Sequence, residues 1–220
     1  VLVAAGVFLW LSRRTALRME AQLKPLMGML QARRVGEAVA LLEQVKAEHG
    51  NWQPFIAGQI DAQIGMIAYA QQKFDEALPR LKAGRWRNWQ ATICLAGIHH
   101  RKGEKEEAYK LLDEAMLLAP KEPMVYIVPA VLRAREEQRE EALKALGQGL
   151  KQLPGQEVLE DLRGRVANKQ AVEVGRLPEL WYQFFPEDMG KVLQMSQRRG
   201  PVAPPVQPAA PGNRKARRSQ

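Results

Sequence analysis

His99 and His100 are the side chains that first invite a chemical reading, because imidazole both ligates metals and carries protons near neutral pH. Adjacent residues on a helix project about 100° apart, so the two rings do not converge on one ion. The third histidine, His49, lies far back in the chain, and no cluster of Cys, Asp or Glu joins them at metal-ligand spacing. The pair therefore reads as surface histidines near a helix end. Cys94 is the only cysteine, so it has no disulfide partner within the chain, and its neighbours Ile93, Leu95 and Ala96 mark it as a buried structural thiol. The sequence contains no glycine-rich phosphate loop, GxSxG elbow or HExxH pair. No cofactor or metal is called for, no constellation suits a small-molecule substrate, and the chain is expected not to be an enzyme.

A second set could do recognition chemistry. Trp52, Trp86 and Trp89 stand near Arg85 and Arg87, a combination that stacks nucleic-acid bases in other contexts. The net charge of +9 points the same way until it is located. Residues 1–18 hold Arg13, Arg14 and Arg18 with no acid, and residues 198–220 hold Arg198, Arg199, Arg214, Lys215, Arg217 and Arg218 with no acid. These ends account for all of the excess, and the body is neutral. A folded nucleic-acid domain carries its positive charge on one face of the fold, so the Trp–Arg cluster is expected to fill a seam between helices, with arginine stems over indole.

The elements that must position these groups are helices. Hydrophobic residues make up 46% of the 220-residue chain, and the body is dominated by Leu, Ala, Glu, Gln, Lys and Arg, with few β-branched or aromatic runs. A Glu-Ala pair followed by an apolar helical pattern recurs in RRVGEAVALLEQV (33–45), QKFDEALPRLKAG (72–84), KGEKEEAYKLLDEAM (102–116) and EQREEALKALGQGL (137–150). The alanines Ala38, Ala77, Ala108 and Ala142 are spaced by 39, 31 and 34 residues, and each is followed four positions later by Leu42, Leu81, Leu112 or Leu146. That spacing puts Ala and Leu on one helical face. Another helical segment precedes each copy, at 20–32, 58–70, 90–100 and 124–135, across a short polar turn, so the two run antiparallel. Helix pairs of this kind bury their faces only by stacking.

This pattern resembles the tetratricopeptide repeat family over residues 19–168. Frames starting at Met19, Gly58, Trp89 and Pro123 put the four alanines at the family's hallmark alanine, and Gly65 and Ala96 at the small residue of the first helix. Pro120 and Pro154 fall at the closing proline and Ala115 at the second-helix alanine, while Leu26 replaces the small residue in the first unit. Pro129 falls inside the first helix of the fourth unit, where a kink is expected. The resemblance implies an all-α, right-handed α-solenoid of about four helix pairs, with residues 157–168 as a capping helix. It also implies that partners bind along the face made by the first helices. There the positions that clamp a terminal carboxylate in one branch of the family hold Ala62 and Met66, Ile93 and Gly97, Ile127 and Val131, none a suitable donor. The face reads as an apolar groove for a partner's helix or peptide, with Met27, Met66, Tyr69, Ile93, Ile127 and Val131 as the contact residues.

The two ends complete the picture. Val1–Leu11 has no polar side chain, and Ser12-Arg13-Arg14 follows directly. That reads as part of a single-pass anchor (1–12) with a basic flank (13–18), which places the repeat domain on the cytoplasmic side of a membrane; the alternative is a buried first helix of the domain, and an extracytoplasmic or soluble location. Beyond the repeats, an extension (169–199) carries Leu177–Pro186, whose Trp181, Phe184 and Phe185 follow helical spacing between two prolines. This segment is expected either to cap the C-terminal end of the array, covering the face its last helix leaves open, or to dock to a partner. Residues 200–220 form a proline-rich tail ending in Arg214, Lys215, Arg217 and Arg218, too poor in apolar residues to fold. The function expected is a non-enzymatic scaffold or adaptor, bound to a membrane and to another protein, on the plan of bacterial lipopolysaccharide-assembly tethers but without the paired cysteines of their metal module. The alternative is a nucleic-acid or ribosome-associated factor that uses the basic tail.

Overall fold

The repeated positions are among the most deeply buried of the described residues: Ala38, Ala77, Ala108 and Ala142, with Leu42, Leu81, Leu112 and Leu146, are each 0% exposed. A computed structural model describes residues 22–50 and 54–190, and among them every regular element is a helix. Five first helices, α1 (Leu26–Gln31), α3 (Pro54–Ala70), α5 (Trp89–Arg101), α7 (Met124–Arg135) and α9 (Glu157–Ala167), alternate with four second helices. These are α2 (Val35–His49), α4 (Phe74–Gly84), α6 (Lys105–Leu118) and α8 (Arg139–Gln152). Each second helix packs on the first helix before it, and the first helices α3, α5 and α7 also touch in succession.

The turn inside each pair repeats in detail. Arg33, Gln72, Gly103 and Glu137 all take positive φ, between 57° and 80°, and their spacing of 39, 31 and 34 matches that of the alanines. The amide of the next residue reaches back five positions in every copy: Arg34 to Met29, Lys73 to Ala68, Glu104 to His99 and Gln138 to Arg133. These bonds satisfy carbonyls that a helix end leaves open, and the left-handed residue turns the chain sharply into its partner. Acids then occupy the first turn of each second helix, where the helix dipole favours them: Glu37, Asp75 and Glu76, Glu106 and Glu107, Glu140 and Glu141.

Small residues set the closeness of the pairs. A Cβ on Gly65 would stand 2.9 Å from the backbone nitrogen and side chain of Leu81, and one on Gly84 would stand 2.3 Å from the backbone nitrogen of Ala62. Helices α3 and α4 therefore meet backbone to backbone. Beside that contact, the buried Asp61 takes both oxygens to Lys46 Nζ at 2.7 Å and one to Arg80 at 2.7 Å, which binds α2, α3 and α4 together. Helices α4 and α7 run through Pro79 and Pro129 as single elements. The first helical segment is broken inside its expected range: residues 22–23 are helical, and a turn at Lys24-Pro25 precedes an α1 of six residues.

Ala108→Leu should overpack the α5–α6 contact and cost about 1–3 kcal/mol, read as a lower urea midpoint at unchanged slope. An unchanged midpoint would place Ala108 outside the helix contact.

Candidate peptide-binding groove

The turn after α9 has the same geometry as the others: Lys169 takes a φ of 57°, and the amide of Gln170 reaches back to Arg165. No second helix follows. The chain instead passes through a short 3-10 turn (Val174–Arg176) into α10 (Trp181–Phe184). Residues 177–188 lie across the first helices, where a partner was expected.

Two arginines organise that contact. Arg101 ends α5 and Arg135 ends α7, 34 residues apart and so at one register of successive units. Arg101 donates to both carboxylate oxygens of Glu187, at 2.7 and 2.9 Å, and to the Phe184 carbonyl at 3.1 Å. Its other nitrogen donates to the Tyr69 hydroxyl at 2.6 Å, and that hydroxyl donates to the same Phe184 carbonyl at 2.5 Å. Arg135 donates to Asp188 at 2.7 Å, and the Trp181 indole N–H donates to the same oxygen at 3.0 Å. Consecutive acids thus meet arginines of consecutive units.

Both guanidinium groups also cover rings. Arg101 stands 5.2 Å from the Phe185 ring and 5.0 Å from that of Phe74, and Arg135 stands 5.2 Å from Trp181. Trp181 stacks on Phe185 at 4.4 Å, and Phe184 lies 6.1 Å from Trp89. Burial works against the Arg101 charge, but Tyr69 and Glu187 outweigh it and hold the guanidinium above its ordinary value. The Tyr69 hydroxyl is pushed up by burial, so it stays protonated and able to donate. Gly97 leaves the room for this network, since a Cβ there would meet the Tyr69 hydroxyl at 2.5 Å.

The expected contact residues divide accordingly. Tyr69, Ile93, Ile127, Val131, Trp181, Phe184 and Phe185 are buried in one apolar cluster, with the half-buried Met66 packed against it. Met27 stands apart, 63% exposed on α1. Ile93, Ile127 and Val131 are wholly internal and present no open surface. The aromatic segment is seated on the array: Tyr69, Arg101 and Arg135 of α3, α5 and α7 bond it, and its rings share one apolar cluster with Leu159, Leu162 and Val166 of α9. Arg214, Lys215, Arg217 and Arg218 lie outside the described residues, as does the anchor segment 1–12. No helix among the described residues is long and apolar enough to cross a membrane.

Two other expectations change. His99 is buried and bonds Glu104 at 2.5 Å, while His100 bonds Glu136 at 2.8 Å across to the next unit, so neither is a loose surface histidine. Burial opposes the Glu136 charge, but bonds from His100 and Lys105 outweigh it and hold the carboxyl below its usual range. Trp89 packs at the core, but Trp86 is 60% exposed and stacks on Phe55. Sequence reasoning missed Arg101 and Arg135 altogether. Their equal register, together with the Glu-Asp pair after the aromatics, was the one signal that pointed to them.

No protein-family profile matches the chain, and no curated protein matches it either.

Cys94 is fully enclosed, and burial pushes its thiol up to about 12. Native protein at pH 8 should therefore resist alkylation by iodoacetamide and react only after unfolding. Stoichiometric labelling of the native chain within minutes would show that the core opens there.

Proposed function

We propose that this chain is a non-enzymatic adaptor of the tetratricopeptide type. Residues 1–12 tether it to a membrane with the array on the cytoplasmic face, and the groove of its first helices takes a short segment of another protein. One observation carries the reading: the chain's own residues 177–188 lie in that groove as a ligand would. Their rings enter the apolar floor, a main-chain carbonyl is held by Tyr69 and Arg101, and their two acids are held by Arg101 and Arg135. A partner with aromatic residues at helical spacing followed by acids matches the same donors and the same floor. The repeated Ala–Leu register and the common turn support the family, and the uncharged run Val1–Leu11 with its arginine flank supports the tether.

The resident segment competes with any such partner. Tied through residues 168–176, it acts at an effective concentration in the millimolar range, so a partner meets an occupied groove. Affinity for the partner is lowered by the fraction of time the groove is closed.

A labelled peptide of residues 177–189 tests this. It should bind the chain carrying Phe185→Ala and Glu187→Gln at least about tenfold more tightly than wild type, with the helical circular dichroism of the variant unchanged. Equal binding to both, or none to either, would remove the groove as the partner site.

A further inference from the structure

The two edges of the array differ in chemistry. The turns within pairs lie on one edge, where Asp75, Glu76, Glu106, Glu107, Glu140 and Glu141 begin the second helices. The connections between pairs lie on the other. Four of the six large apolar side chains exposed among the described residues gather there: Phe55, Trp86, Leu117 and Leu118, at 61, 60, 84 and 37% exposure. Phe55 and Trp86 stack with centroids 4.9 Å apart, and Arg87 stands 5.5 Å from the Trp86 ring. Arg85 bonds Glu114 at 2.6 Å, which joins this connection to α6 one turn before Leu117. The acids Glu48, Glu122, Glu157 and Glu160 also lie on this edge. Glu48 is taken up by Gln22 and Gln44, and Glu122 follows Lys121.

The start of the described chain is fixed to the same edge. The Gln22 amide donates to Glu48 at 2.7 Å and its oxygen meets His49 at 3.1 Å, both at the end of α2 and close in sequence to Phe55. Only ten residues separate Gln22 from the apolar run Val1–Leu11. Ten residues reach at most roughly 35 Å.

We infer that this edge rests on an anionic lipid surface, with the Phe55–Trp86 pair at the headgroup boundary, Arg87 on lipid phosphates, and Leu117 and Leu118 beside them. The inference rests on the tether proposed above. Stacked aromatic rings with a guanidinium beside them suit the boundary between water and acyl chains, where ring faces are dry and charge meets phosphate. The array would then stand edge-on, and the groove of the first helices would stay open to the aqueous side.

The test uses the full chain, as wild type and as Trp86→Phe, with phosphatidylcholine vesicles containing phosphatidylglycerol and lipids brominated near the headgroup end of the acyl chain. Trp86 is exposed, so the variant keeps its fold and the stacked ring. Flotation reports the tether, and the difference in emission between the two proteins reports Trp86. The expected result is flotation of both proteins, with a Trp86 component that loses more than half its intensity to bromolipid and is shielded from aqueous iodide. Flotation with that component unquenched by bromolipid and open to iodide would overturn the lipid-facing edge and leave the tether standing. Flotation with a component shielded from both quenchers would overturn it too, in favour of a protein contact. Failure of both proteins to float would overturn tether and edge together.

Discussion

Arg101 is the side chain on which the join between the array and its C-terminal segment depends. It stands at the end of α5, where the helix dipole favours a cation. Five acceptors surround it: the Gly97 and Phe184 carbonyls, the Tyr69 hydroxyl and both oxygens of Glu187. A half-buried guanidinium is costly unless its donors are matched, and here they are matched by partners from three separate stretches of chain. Removing the segment would leave Arg101 without three of its five acceptors and Tyr69 without the Phe184 carbonyl. The same donors that hold the segment therefore make an empty groove unfavourable.

The repeat explains why a segment is needed at all. A stacked array leaves apolar surface wherever the next helix would have packed, and α9 ends in a turn identical in geometry to those that lead into second helices. The chain beyond that turn is rich in rings. Trp181, Phe184 and Phe185 are each at most 3% exposed, and burying a large side chain is worth about 1.5–3 kcal/mol. Because these rings are buried on the face of α3, α5 and α7, stability and occupancy of the groove are coupled. On the proposed function, a partner that displaced the segment would have to replace that burial and its two charge contacts, which would select for aromatic and acidic chemistry.

Much of the array was legible in the sequence because one residue type recurs under one constraint. Ala38, Ala77, Ala108 and Ala142 are small where helices touch, and the leucines four positions later share their face. The shared left-handed turn was not legible, because three of its four positions hold Arg, Gln and Glu, residues that do not announce positive φ as Gly103 does. The groove was half legible. The resemblance to the repeat family named Tyr69, Ile93, Ile127 and Val131, which lie buried in the core cluster, but the seated segment was not legible, because the pairing of Arg101 with Glu187 spans 86 residues and carries no local signal. His99 and His100 misled for a related reason: their polarity suggested surface, while Glu104 and Glu136 let them stay inside.

The most direct test of the central claim, that residues 177–188 fill the groove of the first helices, is a double-mutant cycle on Arg135→Ala and Asp188→Ala. These groups meet at 2.7 Å across the proposed contact, and Asp188 is 1% exposed. A filled groove predicts a coupling free energy of about 1–3 kcal/mol in urea unfolding, with Trp181 emission moving to longer wavelength in either single variant. Additive effects with no coupling, and Trp181 emission unchanged, would contradict it.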